Sequence, residues 1–260
     1  MNAIGVFDSG VGGLTVVKAL QNALPHESIL YLGDTARLPY GSKSEETVTR
    51  YTRRNLDFLE ARQVKAVVVA CNTASALALP RLESGLPLFG VIEPGAEQAA
   101  TASRGRVGVI GTAATVRSNA YARAILQFSP ELKVISAACP LFVPLVEEGW
   151  HEDPITVAVA RRYLEPLLAE RVDTLVLGCT HYPLLRDLLQ DIVGDNVTLV
   201  DSADAVAARV AGELAALDRL TEAPEQQSHF CLTDDSPPFR SLATAILGRE
   251  DLSFELVDVS

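Results

Sequence analysis

The sequence predicts an α/β protein with two pseudosymmetric lobes. Each lobe would be a mostly parallel sheet flanked by helices, with the candidate active site in the cleft between them. Short runs of Val, Ile and Leu alternate along the chain with longer amphipathic stretches. That alternation is typical of parallel strands joined by crossover helices. Two strand-and-loop patterns of the first half also recur in the second half, which indicates two related lobes.

Eight strands are predicted from apolar runs with little polar alternation, as expected for strands buried on both faces of a sheet. They cover residues 3–7, 28–32, 66–70, 88–92, 106–110, 133–137, 174–177 and 198–200. Amphipathic stretches predict helices over 13–24, 44–62, 116–128, 154–169 and 203–217. A polar loop at 218–228, a strand at 229–232 and a short helix are expected to close the chain.

The internal repeat brings two cysteines into matching positions. One strand ends in Cys71-Asn72-Thr73, and its counterpart ends in Cys179-Thr180-His181, with the cysteines 108 residues apart. Ligands of such sheets bind at the carboxyl ends of the strands, so both cysteines are expected to face one cleft. We assign residues 1–95 and 208–260 to the first lobe and residues 96–207 to the second.

The composition and net charge of the chain argue against some classes of function. The chain has 260 residues, of which 48% are apolar, as in a globular protein of one large or two small domains. Its 22 basic and 33 acidic residues give a net charge of −11. That charge argues against nucleic-acid partners and anionic membrane surfaces. The chain has no export signal, which predicts a cytoplasmic location and reduced cysteines.

The paired cysteines are the first candidates for chemistry. Each follows a buried strand and precedes the start of a helix, where free backbone amides lower the pKa of a thiol. One such cysteine is more often a small core residue, but two in matching contexts favour function. Cys139 and Cys231 lack this context and are interpreted as structural. A zinc site or a redox dithiol is a weak alternative, because no two cysteines have C-x-x-C spacing. Cys179 and His181 could form a nucleophile–base pair, but two residues on one turn are only a weak indication of it.

Two loops allow more than one interpretation. Asp8-Ser9-Gly10-Val11-Gly12-Gly13 is either a tight turn capped by Asp8 or a loop for a small anion, with Asp8 holding an ammonium group or orienting a thiol. It lacks the spacing of nucleotide-binding motifs. Leu38-Pro39-Tyr40-Gly41-Ser42 is either a turn before a helix or a loop that offers Gly41 and Ser42 to a carboxylate. By themselves, Glu147 and His181 would be ordinary surface or core residues.

Four segments in chain order carry a resemblance to a known family. They are Asp8-Ser9-Gly10-Val11-Gly12-Gly13-Leu14-Thr15, Tyr31-Leu32-Gly33-Asp34-Thr35 with Pro39-Tyr40-Gly41, Ala70-Cys71-Asn72-Thr73-Ala74-Ser75, and Leu177-Gly178-Cys179-Thr180-His181-Tyr182-Pro183-Leu184. Together they resemble the glutamate racemases, the cofactor-independent enzymes of the aspartate/glutamate racemase superfamily. The resemblance runs from about residue 4 to the Thr233-Asp234-Asp235 segment.

This resemblance implies an activity and a role for each site residue. The expected reaction interconverts L- and D-glutamate without pyridoxal phosphate or metal and supplies D-glutamate for peptidoglycan synthesis. Cys71 would take the α-proton from D-glutamate, and Cys179 would take it from L-glutamate. Asp8 would assist Cys71, while Glu147 and His181 would assist Cys179. The substrate-binding residues implied are Asp8, Ser9, Tyr40, Gly41, Asn72, Thr73, Thr180 and His181.

The resemblance also implies a homodimer, although the sequence does not locate its interface.

Two functions other than glutamate racemisation are alternatives for this sequence. An aspartate or hydantoin racemase would share the two cysteines and differ in the side-chain pocket. The complete Pro39-Tyr40-Gly41-Ser42 loop favours glutamate. An amino-acid sensor without catalysis is a further alternative, but it would not need two thiols.

Overall fold

The computed structural model describes residues 3–221 and 228–259 and confirms the predicted fold class. Two parallel sheets, one of six strands and one of four, are flanked by helices. Most of the loop predicted at 218–228 lies outside the described residues. The strands are β1 (Ile4–Asp8), β2 (Ile29–Gly33), β3 (Ala66–Val69), β4 (Leu88–Gly90), β5 (Arg106–Gly111), β6 (Lys133–Ala138), β7 (Thr174–Gly178), β8 (Thr198–Val200), β9 (His229–Leu232) and β10 (Phe254–Leu256).

The helices cover both faces of each sheet and account for most of the remaining chain. They are α1 (Leu14–Ala23), α2 (Glu45–Ala61), α3 (Asn72–Leu77), α4 (Ile92–Ala102), α5 (Ala113–Ser118), α6 (Ala120–Phe128), α7 (Phe142–Glu147), α8 (Pro154–Ala169), α9 (Arg186–Val193), α10 (Ala203–Ala216) and α11 (Pro237–Leu247). Side-chain caps begin several of them. The Ser44 hydroxyl accepts the Thr47 N–H at 3.3 Å before α2, and the Asp153 carboxylate accepts the Ile155 N–H at 2.7 Å at the start of α8.

The larger sheet has the strand order β10-β9-β2-β1-β3-β4. β1 lies at its centre, with Val6 paired in parallel register to Tyr31 of β2 and to Val68 of β3. All three of these strands are buried along their whole length. Apolar clusters pack on both faces of the sheet, so neither face of a central strand is left for polar side chains.

The smaller sheet has the strand order β6-β5-β7-β8. In it, Val109 of β5 pairs with Ser136 of β6 and with Val176 of β7. β7 is fully buried, whereas β6 lies at the edge and alternates between exposed and partly buried residues. β7 therefore provides the rigid base from which the second cysteine projects.

Three predictions about elements are wrong in detail. The single helix predicted at 116–128 is two helices, because Asn119 adopts a left-handed conformation (φ 54°) between α5 and α6. The strand predicted at 88–92 ends at Gly90, and Ile92 begins α4. The chain closes with strand β10 after α11, where a helix alone was expected.

The carboxyl ends of four strands meet at one cleft. Ser9 follows β1, Cys71 follows β3, Thr112 follows β5 and Cys179 follows β7, and all four residues line the same cavity. Helix α4 packs against α6 and also against α10, which itself packs on α1, so the two sheets are joined through helices as well. The division into residues 1–95 with 208–260 and residues 96–207 stays a prediction.

A helix that crosses a bilayer must be both long and apolar. Within residues 3–221 and 228–259, no helix combines sufficient length with sufficient apolar character to cross a bilayer.

Candidate active site

A small cavity between the two sheets has a cysteine on each side. Cys71 is 5% exposed and Cys179 is 6% exposed, and both thiols are free. The cavity volume is about 20 Å³, which is room for about one water molecule. The lining residues are Ser9, Leu38, Pro39, Tyr40, Gly41, Cys71, Asn72, Thr73, Thr112, Val143, Cys179, Thr180 and His181. The structure is therefore a closed form, in which the cavity is too small for an amino acid.

A buried carboxylate lies behind Cys71. Oδ2 of Asp8 accepts the Gly13 N–H at 2.9 Å, the Gly10 N–H at 3.3 Å and the Thr180 hydroxyl at 3.2 Å. Oδ1 of Asp8 has no hydrogen-bond partner among residues 3–221 and 228–259. Complete burial raises the pKa of Asp8, although the nearby His181 and the loop amides act in the opposite direction. Asp8 thus caps the loop and also keeps one oxygen available to a ligand or thiol.

The Cys71 side of the cavity favours a protonated thiol. Burial raises the pKa of Cys71 well above its usual range, and the carboxylate of Asp8 raises it further. The N–H of Ala74 at the start of α3 opposes this shift. The Cys71 thiol donates to the Ser9 hydroxyl across an Sγ–Oγ distance of 3.9 Å. A thiolate formed here would be poorly solvated and correspondingly basic.

The Cys179 side has a histidine–glutamate pair in place of a carboxylate alone. Nδ1 of His181 lies 3.9 Å from Sγ of Cys179, and Nε2 lies 2.6 Å from Oε1 of Glu147. Burial opposes the charged imidazole, but hydrogen bonds to Cys179 and Glu147 outweigh it and raise the pKa of His181 to about 10. At neutral pH a charged imidazolium therefore stands beside the second sulfur.

Amide and hydroxyl groups line the cavity between the two sulfurs. The buried hydroxyl of Tyr121 donates to Oδ1 of Asn72 at 2.7 Å, so the NH₂ of Asn72 is the part that remains for a ligand. Oγ1 of Thr73 lies 2.9 Å from Oγ1 of Thr112 and 3.2 Å from Oγ1 of Thr115. These hydroxyls join α3 of the larger sheet to α5 of the smaller one.

A second buried network holds the loop that contains Tyr40 and Gly41. The Tyr40 hydroxyl donates to Oδ2 of the fully buried Asp34, and Nδ2 of Asn55 donates to the Tyr40 oxygen at 3.0 Å. Nε of Arg37 donates to Oδ1 of Asp34 at 2.9 Å. Asp34 therefore acts from outside the cavity, since its contacts fix the position of Tyr40.

The glycines of the first loop allow the two sheets to approach closely. A Cβ atom on Gly12 would lie 2.5 Å from Oγ1 of Thr180, and one on Gly13 would lie 2.3 Å from Cβ of Asp8. A Cβ atom on Gly41 would likewise lie 2.5 Å from the Cβ of Thr112. The Gly-rich loop thus has a packing role that the tight-turn and anion-loop interpretations did not include.

The structure brings the predicted site residues together. Ser9, Tyr40, Gly41 and both segments that begin at Cys71 and Cys179 line the cavity directly. Asp8 and Glu147 lie one contact further out, bonded to Thr180 and His181 respectively.

Sequence reasoning missed three residues that shape the site. They are Thr112, Thr115 and Tyr121. Thr112 follows the strand predicted at 106–110, but nothing in the sequence there indicates contact with Thr73. In the sequence, Tyr121 has no feature that distinguishes it from an aromatic core residue, and its partner Asn72 is 49 residues away.

The side chains that most often bind metal ions in proteins are those of His, Cys, Asp and Glu. In the described part of the chain, no three or more His, Cys, Asp or Glu side chains cluster so that they could hold a metal ion.

Fold and site together define a class of two-sheet α/β protein with one buried thiol on each side of a closed polar cavity. The chain belongs to the Asp/Glu/hydantoin racemase family, whose profile matches residues 5–210. It is 55% identical over 238 residues to the glutamate racemase of Geobacter metallireducens, covering 90% of this chain and 88% of that protein. It is 52% identical to the glutamate racemase of Syntrophus aciditrophicus, covering 96% and 94%.

A solved structure agrees with these sequence relatives. The crystal structure of glutamate racemase from Francisella tularensis, in complex with D-glutamate, matches with a TM-score of 0.93 at 37% identity. The match covers 99% of this chain and 98% of that one, so the whole described fold is shared with an enzyme of this class.

Proposed function

We propose that this chain is a cofactor-independent racemase that interconverts L- and D-glutamate by proton transfer at the α-carbon. The observation that carries the proposal is the pair of buried thiols that line one cavity from two sheets. Inverting an α-carbon needs an acid–base group on each face of it. The glutamate racemases at 55% and 52% identity support glutamate as the substrate.

In one direction, the thiolate of Cys71 removes the α-proton of D-glutamate and becomes a thiol. The electron pair of the broken C–H bond stays on the α-carbon and spreads into the carboxylate. The thiol of Cys179 then gives its proton to the opposite face, which yields L-glutamate and a Cys179 thiolate. The reverse reaction begins with that thiolate and ends with the Cys71 thiolate.

The surroundings of each sulfur support these roles. Asp8 lies behind Cys71, where its unpartnered oxygen suits an ammonium group or a proton in transit. The protonated His181 stabilises a thiolate on Cys179, and Glu147 holds the imidazole in place. Each cysteine thus has an ionisable assistant of its own.

The substrate's carboxylates would be bound mainly by neutral donors. Asn72, Thr73, Thr180 and Gly41 line the cavity, and the NH₂ of Asn72 is left for a ligand. Donors fixed in a water-excluded site stabilise the charge that develops on the carboxylate when the α-proton leaves. A cavity of about 20 Å³ does not hold an amino acid, so the two sheets must separate before substrate enters.

The biological setting follows from the product. We propose that the enzyme works in the cytoplasm as a homodimer and supplies D-glutamate for peptidoglycan synthesis. Size-exclusion chromatography with light scattering measures the assembly directly, and a monomer would contradict that part of the proposal.

The deciding experiment follows the α-proton by NMR in deuterated water, starting separately from L- and D-glutamate without added cofactor. Exchange and racemisation are expected from both enantiomers. Cys71→Ser and Cys179→Ser should each lower racemisation by about 10²-fold or more. Cys231→Ser is the matched control, because that buried thiol does not line the cavity and should leave the rate unchanged.

Two results would contradict the proposal. Exchange of aspartate but not of glutamate would assign another substrate to the same thiols. Tight binding of glutamate without any exchange would mean that the protein is an amino-acid sensor.

A further inference from the structure

A second cavity lies on the outer side of the loop that carries Tyr40. It is formed by the middle of α2 and the segment around β10, and its volume is about 720 Å³. That volume is in the range of small-molecule sites in proteins. Its polar side includes Arg37, Arg50 and Arg54, and its apolar side includes Leu256, Val257 and Val259. We refer to this cavity as the arginine groove.

The arginine groove carries more positive charge than its own carboxylates neutralise. Asp258 is the acidic residue among those lining it. Arg37 is paired with Asp34 at 2.9 Å, and on α2 Arg53 is paired with Asp57 at 2.8 Å. Within residues 3–221 and 228–259, no salt bridge involves Arg50 or Arg54. In a chain of net charge −11, such a local excess of guanidinium groups points to an anionic ligand.

The groove also offers a flat surface for the rest of a ligand. Tyr51 lies at its centre, with the guanidinium of Arg37 at 4.7 Å from the ring centroid and that of Arg50 at 5.6 Å. The side chains of Leu256 and Val257 complete the apolar wall. Guanidinium forks match the oxygens of phosphate in bidentate geometry. We propose that the arginine groove binds a small phosphate-bearing molecule, with its phosphate on Arg50 and Arg54.

The groove shares a wall with the catalytic cavity. The Tyr51 ring packs on the Tyr40 ring, with 5.7 Å between centroids, and Tyr40 lines the cavity between the two thiols. Arg37 contacts Asp34, which in turn accepts the Tyr40 hydroxyl. A ligand that moves Arg37 or Tyr51 would therefore also change the position or the environment of the Tyr40 ring.

The test is an NMR titration of protein labelled with ¹³C in its tyrosine rings. The chain has six tyrosines, and Tyr51→Phe and Tyr40→Phe assign the two signals of interest. The probes are inorganic pyrophosphate and adenosine diphosphate, compared with sodium chloride at matched ionic strength. The expected result is a saturable shift of the Tyr51 signal with a Kd below about 1 mM, accompanied by a shift of Tyr40. Tyr163, which lies in α8 beneath Phe142, should not move.

Matched variants separate a site from general charge attraction. Arg50→Ala with Arg54→Ala should weaken binding by at least about tenfold. Arg104→Ala with Arg161→Ala removes the same charge from exposed positions elsewhere and should leave binding unchanged. Stronger binding of adenosine diphosphate than of pyrophosphate would assign an organic phosphate, and the reverse would assign an inorganic one. The proposal is overturned if neither probe gives a saturable shift, or if both double variants bind equally.

Discussion

The two sulfurs of the site have opposite electrostatic surroundings. Cys71 lies beside the buried carboxylate of Asp8, which disfavours a thiolate. Cys179 lies 3.9 Å from an imidazole that is held charged by Glu147. The two substrates are mirror images, whereas the surroundings of the two sulfurs differ. We therefore expect each direction of the proposed reaction to depend on different side chains.

Replacing Asp8 is expected to separate stability from activity. Burial raises the pKa of Asp8 in the folded state, so its ionisation destabilises the fold increasingly as pH rises above the usual range for Asp. Asp8→Asn keeps the acceptor for Gly13 and removes the buried charge. The variant should be more stable than the wild type at pH 7, with no difference at pH 3, and should racemise about 10²-fold more slowly. Denaturant unfolding at both pH values and the NMR assay measure this; equal stability at pH 7 would contradict it.

His181 should make stability fall on the alkaline side. Its folded-state pKa is about 10 against an ordinary 6.5, so its contribution is complete below about pH 6.5 and is lost as pH rises through 10. The free energy of unfolding of the wild type should therefore decline between pH 7 and 10 more steeply than that of His181→Gln. His26→Gln, at an exposed position, is the control and should follow the wild type. Parallel curves for all three proteins would show that His181 is not charged in the folded state.

At the scale of single elements, the loop that contains Gly12 packs closely against Thr180, which follows β7 of the other sheet. A methyl group on Gly12 would lie 2.5 Å from Oγ1 of Thr180 and 2.7 Å from its carbonyl carbon, so the backbone must move. Gly12→Ala should lower the free energy of unfolding by about 1–3 kcal/mol and impair racemisation. Gly105→Ala, with open space around its added methyl, should change neither. Thermal unfolding of both variants distinguishes close packing from a general effect of replacing glycine.

The sequence predicts an element well when its hydrophobic pattern has a single interpretation. β1 and β7 are buried on both faces, so their apolar runs identify them directly. A helix start after Cys71 was expected, but no range was predicted for α3, because all six of its residues are buried and the segment shows no amphipathic period. β10 has three residues, two of them exposed, and so lacks a strand pattern.

The candidate site was predictable for a different reason. Its cysteines occupy repeated motifs, and the repeat places them at equivalent strand ends. Thr112 and Tyr121 have no such signal, because their roles depend on contacts between elements distant in sequence. The same limit applies to Asp34, whose support of Tyr40 becomes visible only when the loop is folded.

At the scale of the whole molecule, the closed cavity implies that the thiols are reached only when the sheets separate. Cys71 and Cys179 line the cavity, whereas Cys139 and Cys231 are completely buried in apolar clusters. Alkylation by iodoacetamide should therefore modify the first pair before the second, and glutamate should protect only the first pair. Peptide mass spectrometry over time measures the four rates. Equal rates, or equal protection of all four cysteines by glutamate, would contradict opening at this cleft.

In the proposed reaction, the protonation state of the two cysteines after each turnover depends on which enantiomer has reacted. Each conversion of D-glutamate leaves the proton on Cys71 and the charge on Cys179, so the protein that releases L-glutamate is prepared to accept L-glutamate again. A second D-glutamate has to wait until protons redistribute between the sulfurs. Asp8 disfavours charge on Cys71, and the imidazole of His181 lies 3.9 Å from the sulfur of Cys179, so the two forms of the protein are not equivalent. The two enantiomers would therefore share one cavity but react with two different protonation states of the protein.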